Sequence, residues 1–188
     1  MRLIFYYKGE NPLFGPLGTC RYFDFCKTIA VITAGSLLFS AIAPVYAEAS
    51  IRNERQKQAD ELEVSHRVKF LGFIPYADMP KYLSVCDIFI RPSRSEGFGN
   101  SFIEAMAARL PVIATPVGGI PDFIHDGETG VFASPDNPQS IVKAVELILG
   151  DVTLRSTMVE NAYAMVLEKY SWDTVAGEMR GAFGRLSE

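Results

Sequence analysis

A chain of 188 residues, 48% of them hydrophobic, holds enough apolar material for one core with at most an appendage. Its formal net charge of −4 excludes the broad basic surface that nucleic acid requires, so no nucleic-acid partner is expected; a small phosphorylated ligand needs only local positive potential and stays open. Cys20, Cys26 and Cys86 lack the paired spacing of a zinc site, no metal is expected, and this cysteine usage fits a reducing compartment.

Residues 2–7 are apolar and aromatic and predict a strand. Pro12, Gly15, Pro16 and Gly18 predict turns. Residues 21–33 fit helix or strand equally. Residues 28–47 are free of charge, follow Lys27 and end in Val45-Tyr46-Ala47, which resembles a signal cleavage site; the run is also long enough for a membrane span. Ala34-Gly35-Ser36 and Pro44 interrupt it, and the piece 37–43 then reads as a buried strand, so the soluble reading is preferred. Residues 1–50 are thus expected to form an atypical N-terminal segment, partly in the sheet, ahead of a main domain at 51–188.

Residues 50–62 predict a helix with Arg52, Arg55, Lys57, Asp60 and Glu61 on a solvated face. Residues 68–71 predict a short strand, closed by Gly72 and Pro75, and a short helix follows to Ser84. Cys86, beside the apolar run 88–90, reads as a buried structural thiol. The strand over 88–91 stops at Pro92. A helix is expected over 100–110, a strand over 112–115, a tight loop at Gly118-Gly119-Ile120-Pro121 and a strand over 130–133. Asn137 and Pro138 form a helix start, N-cap then proline, for a helix to about Leu149. Leu154, Met158, Tyr163 and Val166 lie near one face of the next helix, and Ser171 caps a last one ending near Leu186. Tyr170 and Trp172 are expected to pack these terminal helices. His66 and His125 stand alone and carry no expected chemistry. Short apolar strands alternating with helices predict an α/β fold: a Rossmann-like parallel sheet with helices on both faces and a helical C-terminal tail.

The most informative stretch is Arg91-Pro-Ser-Arg-Ser-Glu-Gly-Phe-Gly-Asn-Ser-Phe-Ile-Glu-Ala-Met-Ala-Ala-Arg109. It reads as a strand end, a glycine turn and a helix start. Glycines admit a ligand close to the backbone, and a helix N-terminus offers free N–H groups and a positive dipole end to phosphate. Glu96 and Glu104, eight positions apart, can accept hydrogen bonds from hydroxyls. Phosphate plus hydroxyls describes a nucleotide sugar. Ligands of parallel sheets bind at the carboxyl ends of strands, and residues 72–75, 91–99 and 115–121 all follow predicted strands.

From about Ser50 onward the chain resembles the C-terminal, donor-binding half of retaining GT-B glycosyltransferases of the group 1 type. The carrying residues are His66-Arg-Val-Lys-Phe-Leu-Gly-Phe-Ile-Pro75, Arg91-Pro-Ser-Arg-Ser-Glu-Gly-Phe-Gly99, Glu104-Ala-Met-Ala-Ala108, Pro111-Val-Ile-Ala-Thr-Pro-Val-Gly-Gly-Ile-Pro-Asp122 and Asp126-Gly-Glu-Thr-Gly130. The resemblance implies that Glu96 contacts the donor sugar, as the catalytic-site carboxylate, and that Glu104 accepts from the ribose. It implies that the turn Gly97, Phe98, Gly99 and Asn100 presents N–H groups to sugar and diphosphate, with Gly118 and Gly119 in the neighbouring loop. Gly72, Phe73 and Ile74 would lie against the base. No cofactor or metal is implied; the nucleotide sugar is the donor substrate, and its diphosphate leaves with retention at the anomeric carbon, stabilised electrostatically. The implied setting is glycan or cell-envelope assembly in the cytoplasm or at the inner face of the membrane, through peripheral association.

The sequence also departs from that family. The Gly-Arg…Lys-Gly stretch that clamps the diphosphate has no clear counterpart; Lys8-Gly9 is a poor echo, and Arg21, Lys27 and Arg94 are candidate substitutes. The acceptor-holding N-terminal domain is missing, so a separate acceptor-binding domain or subunit is expected. Two alternatives to an active transferase half are a non-catalytic nucleotide-sugar-binding module and a UDP-sugar epimerase of GT-B fold. Bland readings stand beside the site residues. Ser101-Phe-Ile-Glu104 also spells a capping box. Glu96 can be a turn residue, Phe98 core packing, and Arg91 and Arg94 solvated rim charges.

Overall fold

The computed structural model describes residues 2–7, 28–33, 44–72 and 74–186, with side-chain surroundings from Asn53 to Arg185 except Phe73. The expected turn at Ala34 to Ser36, the strand at 37–43, the turns at 11–18, and Lys8, Cys20, Arg21, Cys26, Lys27 and Phe73 lie outside the described residues.

Among the described residues six strands form one parallel sheet. They are β1 (Arg2–Tyr7), β2 (Thr28–Thr33), β3 (Val68–Phe70), β4 (Ile88–Arg91), β5 (Val112–Ala114) and β6 (Val131–Phe132), and their spatial order is β3-β2-β1-β4-β5-β6. All five pairings are parallel; Leu3 sits opposite Ile88 and Phe5 opposite Ile90, while Phe89 sits opposite Val112. The ambiguous stretch 21–33 therefore contains a strand at its end. Residues 28–47 are not one continuous helix: β2 occupies 28–33, and helix α1 (Pro44–Glu61) begins six residues earlier than expected and takes in the Val45-Tyr46-Ala47 motif. Among the described residues no helix is long and apolar enough to cross a membrane.

Burial explains the apolar runs. A parallel strand covered on both faces has no polar side to alternate with, and all four residues of β4 are buried. The two-residue period still sorts them. Phe89, Val112 and Ala114 point to one face, under α3 (Asn100–Ala107) and the end of α5 (Val152–Lys169). Ile88, Ile90, Ile113 and Val131 point to the other, under α4 (Pro138–Gly150) through Ile141, Ala144 and Ile148. The ring of Phe102 meets that of Phe89 edge-on at 5.7 Å. A short helix α2 (Met79–Leu83) follows β3, and α6 (Trp172–Leu186) forms the tail.

Four expectations change. Helix α3 stops at Ala107 rather than Leu110, because Arg109 takes a left-handed φ of 58°. The N–H of Leu110 then bonds the carbonyl of Ala105, and that of Arg109 the carbonyl of Met106, the paired bonds of a Schellman ending. That ending normally calls for glycine; here the guanidinium pairs with Glu160 and lies 3.9 Å over the Tyr163 ring, which offsets the backbone strain. Trp172 is 85% exposed rather than packed, whereas Tyr170 does pack. Cys86 is half-buried, its Sγ bonded to the Tyr82 carbonyl at 3.1 Å. Arg91 is buried, not a rim charge.

Candidate functional site

Strand order reverses between β1 and β4: the chain winds one way from β1 through β3 and the other way from β4 through β6. Crossover helices on opposite faces part at such a reversal and leave a crevice outside the carboxyl ends of the strands. β4 ends there at Arg91, and its following loop runs into α3. The 91–104 stretch therefore sits where a parallel sheet binds ligands.

Two of the three expected loops are packed directly together. The Gly119 N–H bonds the Gly97 carbonyl at 3.1 Å, and the Thr115 hydroxyl donates to the Ser93 carbonyl. Gly118 has φ 57°, and a Cβ on it would stand 1.8 Å from the Glu96 carbonyl oxygen; one on Gly119 would stand 2.6 Å from the Gly97 oxygen. These glycines serve loop-to-loop contact. Gly97 differs: among the described residues, a Cβ there meets nothing within 4 Å, so its backbone faces open space. Gly99 takes φ 77° and forms the N-cap of α3, a residue with no side chain to cap the helix. Asn100 follows as its exposed first residue. In the third loop Gly72 has φ 67°, while the Ile74 side chain is buried in the core and is not offered to a ligand.

Glu96 lies deep in the turn. Its side chain is 6% exposed and forms an ion pair with Arg91, whose side chain is 5% exposed. The other Arg91 amino group, Nη1, donates to Ser101 Oγ at 2.5 Å. The Cζ of Arg91 also stands 5.5 Å over the Phe102 ring. Ser101 is thus inside the helix with its hydroxyl accepting from Arg91, and the capping-box reading of Ser101 and Glu104 falls away. The half-buried Glu104 carboxylate has no ion-pair or hydrogen-bond partner among the described residues, and desolvation by burial pushes its pKa above the ordinary 4.5. Phe98 is 45% exposed; its ring lies 5.5 Å from that of Phe123 and 5.3 Å from that of Tyr170, which ties the turn to the α5–α6 junction. Arg94 is exposed and paired with Asp136 Oδ1 at 2.6 Å.

Sequence reasoning named the two glutamates and the glycines but missed the Arg91–Glu96–Ser101 unit. The signal was present: an arginine closing an apolar strand, with an acid five residues on.

Residues 45–165 match the family of glycosyl transferases group 1. This chain belongs to that family. An uncharacterized glycosyltransferase of Methanocaldococcus jannaschii is 41% identical over 118 residues, 63% of this chain and 30% of that protein. The alpha-D-kanosaminyltransferase of Streptomyces kanamyceticus is 30% identical over 142 residues, 76% of this chain and 37% of that one. The chain thus spans about a third of the length of these curated relatives. The C-terminal domain of the group 1 protein LpcC from Francisella tularensis superposes with a TM-score of 0.69 at 25% identity, covering 90% of this chain and 86% of that domain. HepE of Anabaena, solved with UDP-glucose, gives a TM-score of 0.74 at 22% identity, covering 97% of this chain and 48% of HepE. The fold is that of the C-terminal half of a GT-B glycosyltransferase.

Proposed function

We propose that this chain is the donor-binding half of a retaining glycosyltransferase and that it binds a nucleotide sugar in the crevice between β1 and β4. The observation that carries this reading is a helix start without a side-chain cap at the strand-order reversal, flanked by two carboxylates that have acceptor capacity to spare. The first N–H groups of α3 and its dipole suit the diphosphate, and would stabilise it as the leaving group. Glu104 suits the ribose: a half-buried carboxylate without a donor is costly alone, and two hydroxyls would satisfy it. Glu96 suits the sugar, with Oε2 held by Arg91 and Oε1 without a partner among the described residues. The open face of Gly97 leaves room for the ligand between them. Residues 51–188 then form the nucleotide-sugar-binding domain, with residues 1–50 supplying strands to its sheet. The setting proposed is glycan or cell-envelope assembly, in the cytoplasm or at the inner face of the membrane, with acceptor binding supplied by a separate domain or subunit.

A second reading is a binding module without transfer activity of its own. It is favoured by one observation: both arginines of the 91–99 loop are already engaged, Arg91 with Glu96 and Arg94 with Asp136. Charged hydrogen bonds to a diphosphate are worth about 1.5–3 kcal/mol each, and proximity supplies about 7–11 kcal/mol of barrier reduction, so without a bound acceptor the rate suffers more than the affinity. Calorimetric titration with UDP- and GDP-sugars tests both readings. Saturable binding that Gly97→Ala and Glu104→Ala each weaken is expected, with sugar transfer slow or absent. Absence of binding to all of these nucleotide sugars would count against both readings; rapid transfer by the chain alone would remove the second.

A further inference from the structure

We propose that Arg91 is a positioning residue for sugar recognition: its buried guanidinium fixes the Glu96 carboxylate relative to the start of α3. This rests on the donor-site reading above and adds a residue that the reading does not need. Arg91 is the last residue of β4, the strand bordering the reversal. Its two amino groups reach different partners, Nη2 the Glu96 carboxylate and Nη1 the Ser101 hydroxyl. One rigid plane therefore ties together the strand end, the middle of the turn and the second residue of α3. Burying a carboxylate needs a paired countercharge, and Arg91 supplies it as an ion pair at Glu96 Oε2. With Oε2 held, the Glu96 side chain loses its rotamer freedom, and Oε1 keeps one direction in which to accept a hydroxyl. Both amino groups are committed, so Arg91 acts through Glu96 and not as a phosphate ligand. Lysine cannot replace it: a point charge on a flexible stem does not span two partners at fixed angle.

A merely structural ion pair would affect nucleotide and nucleotide sugar alike. A positioning residue affects only the sugar. The test is therefore a ratio, the affinity for a nucleotide sugar divided by that for its nucleoside diphosphate, measured by calorimetry on the 188-residue chain with UDP-glucose against UDP and GDP-mannose against GDP. Arg91→Met and Arg91→Lys should each lower this ratio about tenfold or more, the loss of roughly one charge-assisted hydrogen bond, while diphosphate affinity stays within about threefold. Glu96→Gln should lower it similarly, and adding Arg91→Met to Glu96→Gln should lower it little further, because the two act as one unit. If Arg91→Met does not fold by thermal melting, Arg91→Lys and the milder Ser101→Ala report the same ratio. An unchanged ratio, or a parallel loss of both ligands in folded variants, overturns the proposal and leaves the donor site standing. A wild-type chain that binds neither ligand pair sinks the donor site and this proposal with it.

Discussion

Gly118→Ala tests the contact between the two loops that build the crevice. Alanine at φ 57° carries about 1–2 kcal/mol of left-handed strain. Its Cβ would also stand 1.8 Å from the Glu96 carbonyl oxygen, against the 3.0 Å below which such contacts essentially never occur, so the loops must part by at least 1.2 Å. The obstacle is backbone, which cannot rotate away, and overpacking of this kind costs about 1–3 kcal/mol. Reduced freedom of the unfolded chain returns about 0.4–1 kcal/mol. The net is a loss of roughly 1–5 kcal/mol, large against a typical total of about 5–15 kcal/mol but short of unfolding most domains. Gly127→Ala is the control: φ is 76° and nothing lies within 4 Å, so it carries the strain without the collision. Urea denaturation of both variants, with nucleotide-sugar titration of each, gives the comparison. Gly118→Ala should lose more stability than Gly127→Ala, and it alone should lose donor affinity, because Glu96 and the Gly119–Gly97 bond move with the loop. Equal destabilisation with donor affinity intact would refute the claim that this contact shapes the site.

Burial raises the Glu104 carboxyl above 4.5, so the folded chain holds more protons than the unfolded one between 4.5 and the raised value. Stability from this group is greatest below 4.5 and is lost as pH rises through the folded value; Glu104→Gln should melt higher than wild type near neutral pH, lose that advantage in acid, and bind nucleotide less well. Asn137 caps α4 by accepting from the Ser140 N–H at 3.2 Å, and Asn137→Ala should lower stability by about 1 kcal/mol in denaturant titration without changing donor affinity. Phe102 is fully buried against Phe89 and Phe123, and Phe102→Ala should cost about 3–5 kcal/mol, read as a large fall in the denaturation midpoint. The exposed Arg94–Asp136 pair should be worth no more than about 1 kcal/mol, so Arg94→Ala should leave the melt nearly unchanged.

The sequence by itself determined the kinds of element from residue 50 on and the stretch that makes the site. Apolar runs such as 88–91 announce strands buried on both faces, Asn137-Pro138 carries its own cap chemistry, and the glycines of 97–99 and 118–119 mark where backbone must turn or come close. These are local properties, fixed by a residue and its near neighbours. The tertiary structure decided the rest. Strand order put the 91–99 loop at the reversal, and order depends on pairings between residues as far apart as Leu3 and Ile88. The same folding buried Arg91, whose charge looks like a rim residue in isolation and becomes a buried partner once Glu96 and Ser101 close around it. Arg109 could occupy a position that favours glycine because Glu160 and Tyr163, more than fifty residues on, compensate it. Tyr170 packs and Trp172 does not, because only the former falls within reach of Phe98 and Phe123 when α5 ends. In each case the deciding energy comes from a contact between distant parts of the chain, and one-dimensional spacing does not encode which of those parts will meet.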